Sequence, residues 1–208
     1  MQRLFILLFL CTCEIASAQV ILSEVMYNPR VNDNAYEFIE IFNASATDTV
    51  SLFGWRLGDQ VEVDSLISPE AFYRLAPQQF AIVLDPGYFL TTGIYDSLIP
   101  ADALILTIND NTFGSGGLSN STAETVVLVD AAGDTVARYT YSLGNADGIS
   151  DEKILLNADD APSNWANSQR LDGTPGALNS VTLREIDLAA IRLWFDPPKP
   201  RTGDDVQI

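Results

Sequence analysis

Past its first residues the chain carries its hydrophobic side chains in brief runs, rich in β-branched and aromatic residues and closed by Gly, Pro, Asn or Asp. That punctuation belongs to an all-β sandwich or barrel, and no long amphipathic helical period competes with it. The pattern predicts strands near Val20–Met26, Tyr36–Phe42, Val50–Leu57, Phe72–Leu75, Phe80–Leu84, Ala103–Ile108, Thr125–Val129 and Thr135–Tyr141, with Lys153–Leu156 as an edge strand. The plainest hairpin is Thr125–Tyr141, where two strand runs flank a short loop and Gly133 supplies the positive φ that ends a type I turn with a bulge. Tyr36–Phe42 is apolar on both faces apart from Glu37 and Glu40, as a strand inside a sheet would be. Asn109–Thr122, small and polar, reads as a mobile surface loop. Asn157–Asn179 is irregular, with Trp165 as its tether to the core.

The start of the chain follows a different logic. Met1–Arg3 is a charged opening, Leu4–Cys11 an apolar run, and Ala16-Ser17-Ala18 a small-residue cleavage site before Gln19, together the order of a signal peptide over residues 1–18. The run is shorter than the ~20 residues a membrane-spanning helix requires. Export to the medium or the cell surface is the expectation, with no transmembrane segment.

Composition narrows the chemistry. Eleven Lys and Arg against 28 Asp and Glu give a net charge of −17, yet 47% of residues are hydrophobic, so the chain is acidic without being disordered. It has no histidine, and both cysteines, Cys11 and Cys13, lie in the leader. The exported chain therefore lacks the imidazole and thiol of a catalytic triad, a cysteine nucleophile or a His/Cys zinc site, and no enzyme is expected. With Lys153 and Lys199 as its only lysines, it would repel a phosphate backbone, and nucleic acid is not an expected partner.

Six segments, in order, carry a resemblance: ILSEVMYNP (Ile21–Pro29), EFIEIFNAS (Glu37–Ser45), LFGWRLGD (Leu52–Asp59), LAPQQFAIVLD (Leu75–Asp85), ETVVLVDAAGDTVARYTY (Glu124–Tyr141) and NWANSQRLDGTPGALN (Asn164–Asn179). Together they resemble a lamin tail domain of the type found in secreted bacterial proteins, which implies an immunoglobulin-like β-sandwich over residues 19–182. The Asn109–Thr122 loop is longer and richer in glycine than that pattern. Residues 183–208 read as a linker and the first strands of an incomplete second β-domain; DLAAIRLWFDPPKPRTGDDVQI is similar to the opening of immunoglobulin-like adhesion modules.

The residues of the resemblance, Glu24, Glu40, Asn43, Gly54, Trp55, Gly133, Trp165, Gly173, Thr174, Pro175 and Gly176, read first as scaffold. Gly54-Trp55 would set an aromatic between the layers, and Gly173–Gly176 would turn the closing segment across the sheet. In a two-residue period Glu24 shares a face with Leu22 and Met26, and Glu40 with Tyr36, Phe38 and Phe42. Carboxylates so placed need partners; the expectation is loop N–H donors, the alternative an acid/base pair or ion site. Acidic and amide clusters at Asn32-Asp33-Asn34, Asn109-Asp110-Asn111, Asp147/Asp151-Glu152 and Asp159-Asp160 offer oxygens of the kind calcium takes. None fits a calcium-loop spacing, so they read as solvated turn residues; no cofactor is expected, with calcium as the alternative. The function expected is a non-catalytic secreted or cell-surface module, monomeric by itself, that binds a protein or polysaccharide or acts as a spacer in a larger protein. The alternative is an accessory domain of a secreted nuclease or phosphatase whose catalytic domain lies beyond residue 208.

Overall fold

The computed structural model describes residues 20–31, 33–91 and 93–182. The predicted leader and the predicted second module lie outside the described residues. Among the described residues there are twelve strands: β1 (Val20–Met26), β2 (Phe38–Asn43), β3 (Val50–Ser51), β4 (Arg56–Gly58), β5 (Val63–Ile67), β6 (Arg74–Leu75), β7 (Phe80–Leu84), β8 (Leu104–Ile108), β9 (Thr125–Val129), β10 (Thr135–Thr140), β11 (Asp151–Lys153) and β12 (Trp165–Asn167). A helical turn, α1 (Asp33–Tyr36), and two 3-10 turns, Pro86–Leu90 and Pro162–Asn164, interrupt them.

Ten strands form one ladder in the order β10-β9-β4-β5-β8-β7-β2-β1-β11-β12, with β3 and β6 as a separate ribbon. The ladder curls so that β10 packs against β1, turning one sheet into two facing layers, the immunoglobulin-like sandwich. The hinge between layers is narrow, because β5 and β8 share only Leu66↔Ile108 and Ile67↔Thr107. β8 then runs parallel to β7 through Leu104–Leu106.

The core between the layers is aliphatic, built from residues such as Leu22, Val25, Ile39, Ile41, Leu57, Leu106 and Leu128, with Trp55 among them. A second cluster covers the outer face of β1, β2 and β7, where Tyr36, Tyr88 and Tyr95 pack on Met26, Phe38 and Ile82. β1 and β2 are buried along their whole length for this reason.

β1 changes phase midway. Leu22 pairs with Ile41 and Val25 with Ile39, a bulge falling at Ser23, and all four join the inner core. The extra residue flips the alternation, so Glu24 lies opposite Glu40 on the outer face with Met26 and away from Leu22. The expectation that Glu24 shares a face with Leu22 is thereby corrected.

Other expectations shift as well. Val50–Leu57 is broken by the turn at Gly54, and β11, predicted as an edge, lies between β1 and β12. β5 was not expected, because Asp64 and Ser65 interrupt its apolar run. Asn109–Thr122 lies largely at the surface as expected, but two of its side chains, Phe113 and Leu118, are buried in the main core and anchor it there. Its backbone is held by carboxylates, Gly114 N–H donating to Asp64, Ser115 N–H to Asp59 and Leu118 N–H to Glu37.

Candidate functional site: a carboxylate ladder beneath a closing strap

Three glutamates stand side by side across β2, β1 and β11, with Glu24 opposite both Glu40 and Glu152 in the strand registers. All three are fully buried. Residues 168–182, which follow β12, cross over them as a strap, and its donors with those of the adjacent strands meet every carboxyl oxygen. Glu24 accepts from the Ser150 hydroxyl (2.5 Å) and the Thr174 N–H (3.0 Å). Glu40 accepts from the hydroxyl of the bulge residue Ser23 (2.8 Å) and from the Gly176 N–H (2.5 Å). Glu152 accepts from the hydroxyls of Ser168 (2.7 Å) and Ser180 (2.6 Å) and from the Val181 N–H (3.1 Å).

The Thr174 hydroxyl lies between two of these carboxyls, 3.1 Å from Glu24 Oε2 and 2.9 Å from Glu152 Oε1. A hydroxyl has one proton to donate, so the second contact is a hydrogen bond only when a carboxyl contributes its own. Glu24 is the group suited to do so. Burial, reinforced by the negative charge of Glu152, raises its pKa to about 8. Glu40 is likewise pushed well above the usual carboxylate range, first by burial and then by the charge of Glu24. With Glu24 protonated, a chain runs from Glu24 O–H to Thr174 Oγ and from the Thr174 hydroxyl to Glu152.

The strap's sequence follows from this geometry. Gly173 has φ +71°, and a β-carbon there would collide with Glu24 Oε1. Asn179 closes the gap at which β1 and β11 stop pairing, its amide donating to the carbonyls of Ser23 (2.8 Å) and Lys153 (2.9 Å). Arg30 grips Asp172 with two bonds of 2.6 Å. Pro175 and Gly176 are buried where the strap meets the sheet.

The remaining predicted residues lie elsewhere. Asn43 ends β2 and donates to the carbonyls of Asp48 and Ala76 (2.8 and 2.9 Å). Gly54 turns the chain between β3 and β4 and delivers Trp55 to the main core. Gly133 (φ +96°) closes the β9–β10 hairpin, donating to the Asp130 carbonyl. Trp165 stacks on Tyr139 with ring centroids 3.7 Å apart.

The acidic clusters are dispersed. Asp151 and Glu152 face opposite sides of β11, Asp151 accepting from Tyr139, Ser142 and Asn145. Asp160 bonds Lys153 at 2.6 Å, and Asp147 accepts from Asn28. The cluster at residues 32–34 lies outside the described side chains. A grouping that the sequence spacing hides is Glu62, Asp64 and Asp110, whose carboxylate oxygens lie within 4.8 Å of one another where β5 meets the chain after β8. They could share a cation, although Glu62 and Asp110 are exposed to solvent.

Glu152 is as fully buried as Glu24 and Glu40 and is likewise held by strap donors, whereas in the sequence it reads only as one of the loop acids. Its signal was the alternation Asp-Glu-Lys in a segment that reads as polar surface until its neighbours are known.

The Lamin Tail Domain family matches residues 14–142 of this chain, more than half its length. The chain belongs to the lamin tail domain family. No curated protein matches it. The matched span of this lamin tail domain takes in β1 through β10, including Glu24, Glu40, Asn43, Gly54, Trp55 and Gly133, and supports the immunoglobulin-like reading of the curled sheet. Glu152 and the strap follow the matched span in sequence, yet β11 pairs directly with β1. Among the described residues no helix is long and apolar enough to cross a membrane.

Proposed function

We propose that this lamin tail domain is an exported, non-catalytic module that serves in binding or as a spacer at the surface of a larger protein. The observation that supports it is how the buried carboxyls are used. Each of the six oxygens of Glu24, Glu40 and Glu152 is met by a donor of the chain itself, Glu24 Oε2 by the Thr174 N–H at 3.2 Å. Groups so engaged hold the strap to the sheet and are not poised to activate water or a sugar, which requires a carboxyl facing its substrate. The charged start, apolar run and Ala16-Ser17-Ala18 order favour export. A net charge of −17 favours a monomer, because like-charged copies repel.

Expression of the full chain with its leader tests the reading. The exported product is expected to begin at Gln19 and to leave nuclease, phosphatase and glycosidase substrates unchanged. An exported chain still starting at Met1 would overturn processing, and turnover that persists through purification would overturn the non-catalytic assignment.

A further inference from the structure

The edge of β8 is left open on one side, and the opening is lined by aromatics and acids. β8 pairs with β5 only as far as Ile67↔Thr107. Asn109 donates its N–H to the Ser65 carbonyl (3.1 Å), which fixes the phase of the strand. By the alternation of an antiparallel ladder, Thr107 and then Ile105 turn their N–H and C=O toward the same side. The residue opposite Ile105 in that register is Pro69, which has no N–H to give. There the chain turns away, Ala71 donating back to the Ser68 carbonyl (3.1 Å), and Ile105 is left beside a groove of about 530 Å³.

The groove has a definite chemistry. Phe72 and Phe89 line it and are 50% and 47% exposed, unusual for phenylalanine, and the Ile105 side chain stands between strand and solvent at 39%. Glu70 and Asp102, both exposed, border it. Gln79 fixes one border by donating to the Asp102 carbonyl at 2.6 Å.

We propose that this groove docks an extended peptide that adds to the free edge of β8, seats an apolar side chain between Phe72 and Phe89, and carries a Lys or Arg for Glu70 and Asp102. This reading rests on the binding-module function and names its partner class. Strand addition supplies main-chain hydrogen bonds at Ile105, the aromatic walls and flanking acids supply selectivity, and the −17 charge of the chain steers a basic partner inward. The same charge opposes a second copy of the chain as occupant.

The experiment pans phage-displayed random dodecapeptides on the full-length protein. Winners are then measured by fluorescence anisotropy against wild type and the Phe89→Ala, Glu70→Lys and Asp102→Lys variants. These side chains are exposed, and unchanged melting curves serve as the control for folding. Enrichment of apolar sequences flanked by Lys or Arg is expected, with affinity reduced about tenfold or more by each variant. Affinity should also weaken with added salt, and hydrogen exchange at the Ile105 amide should slow on binding. A peptide methylated on its backbone nitrogens should lose its affinity.

Winners that bind the three variants as well as wild type, full affinity of the methylated peptide, or unchanged exchange at Ile105 would each overturn the proposal. Failure to enrich any sequence, capture of a soluble hexasaccharide in place of peptides, or concentration-dependent dimerisation that Phe89→Ala abolishes would do the same. Those results leave the binding-module reading standing. Hydrolytic turnover would remove that reading whatever the peptides do.

Discussion

Replacing Glu24 with glutamine should change the way stability responds to pH while leaving the fold in place. In the folded chain the pKa of Glu24 rises from its ordinary 4.5 to about 8, because burial and the charge of Glu152 disfavour the carboxylate. Between those values the folded state holds a proton that the unfolded state has released. The contribution is therefore fully present below about pH 4.5 and is lost as pH rises through about 8. One proton is worth about 1.4 kcal/mol per pH unit, so Glu24 should remove about 3 kcal/mol of stability between pH 5 and pH 8. Glutamine reproduces the protonated form: its oxygen can accept from Ser150 and the Thr174 N–H, and its amide can donate to the Thr174 hydroxyl. Urea denaturation of wild type and Glu24→Gln at pH 5, 6, 7 and 8 is the assay. The variant should be close to wild type at pH 5 and more stable at pH 8. With a slope of about 2 kcal/mol per molar urea, the two midpoints should diverge by roughly 1.5 M. The remaining charges of this acidic chain also oppose folding as pH rises, but those far from the site are common to both proteins and cancel in the difference; Glu40 does not, because the Glu24 charge that helps raise it is absent from the variant, and this widens the divergence at high pH. Parallel midpoints across the range would show that Glu24 is ionised in the fold and would refute the proton chain through Thr174.

Gly173→Ala should destabilise by several kcal/mol, since it combines a positive φ with a collision against Glu24 Oε1; a melting point near wild type would mean that the strap can lift locally. Trp55→Ala should cost about 3–5 kcal/mol through the cavity it leaves in the main core, whereas Asp110→Ala, at an exposed position, should stay within about 0.5 kcal/mol; thermal melts of the pair distinguish a core tryptophan from a surface one. Calcium at millimolar concentration should leave the melting point unchanged, because exposed Glu62 and Asp110 prefer water, and a rise of several degrees reversed by chelator would assign a cation to Glu62, Asp64 and Asp110.

Local chemistry determined much of this protein before any packing was known. β1, β7 and β9 match the strand runs residue for residue, because short apolar runs enriched in Val, Ile and aromatic residues and closed by turn formers have little else to become. The hairpin turn follows from Gly133, since the left-handed position that ends it admits few other residues. Glu24 and Glu40 could be singled out because a charged residue amid apolar neighbours in a strand must find partners. What those partners are belongs to the tertiary structure. Ser23 shifts the phase of β1 only because β2 is there to register against it, and no two-residue period contains that slip. β5 was illegible because Asp64 takes an apolar position, which is tolerable only once Gly114 arrives from 50 residues downstream to donate its N–H. Glu152 and the strap lie more than a hundred residues from Glu24 in sequence, and Glu24 owes its raised pKa to an enclosure that the folded sheet and strap make together. The open edge of β8 has the same character. Pro69 and Ile105 are unremarkable in sequence, and only the register of β5 on β8, carried two residues past the end of β5, sets a residue without an N–H opposite a backbone that asks for one.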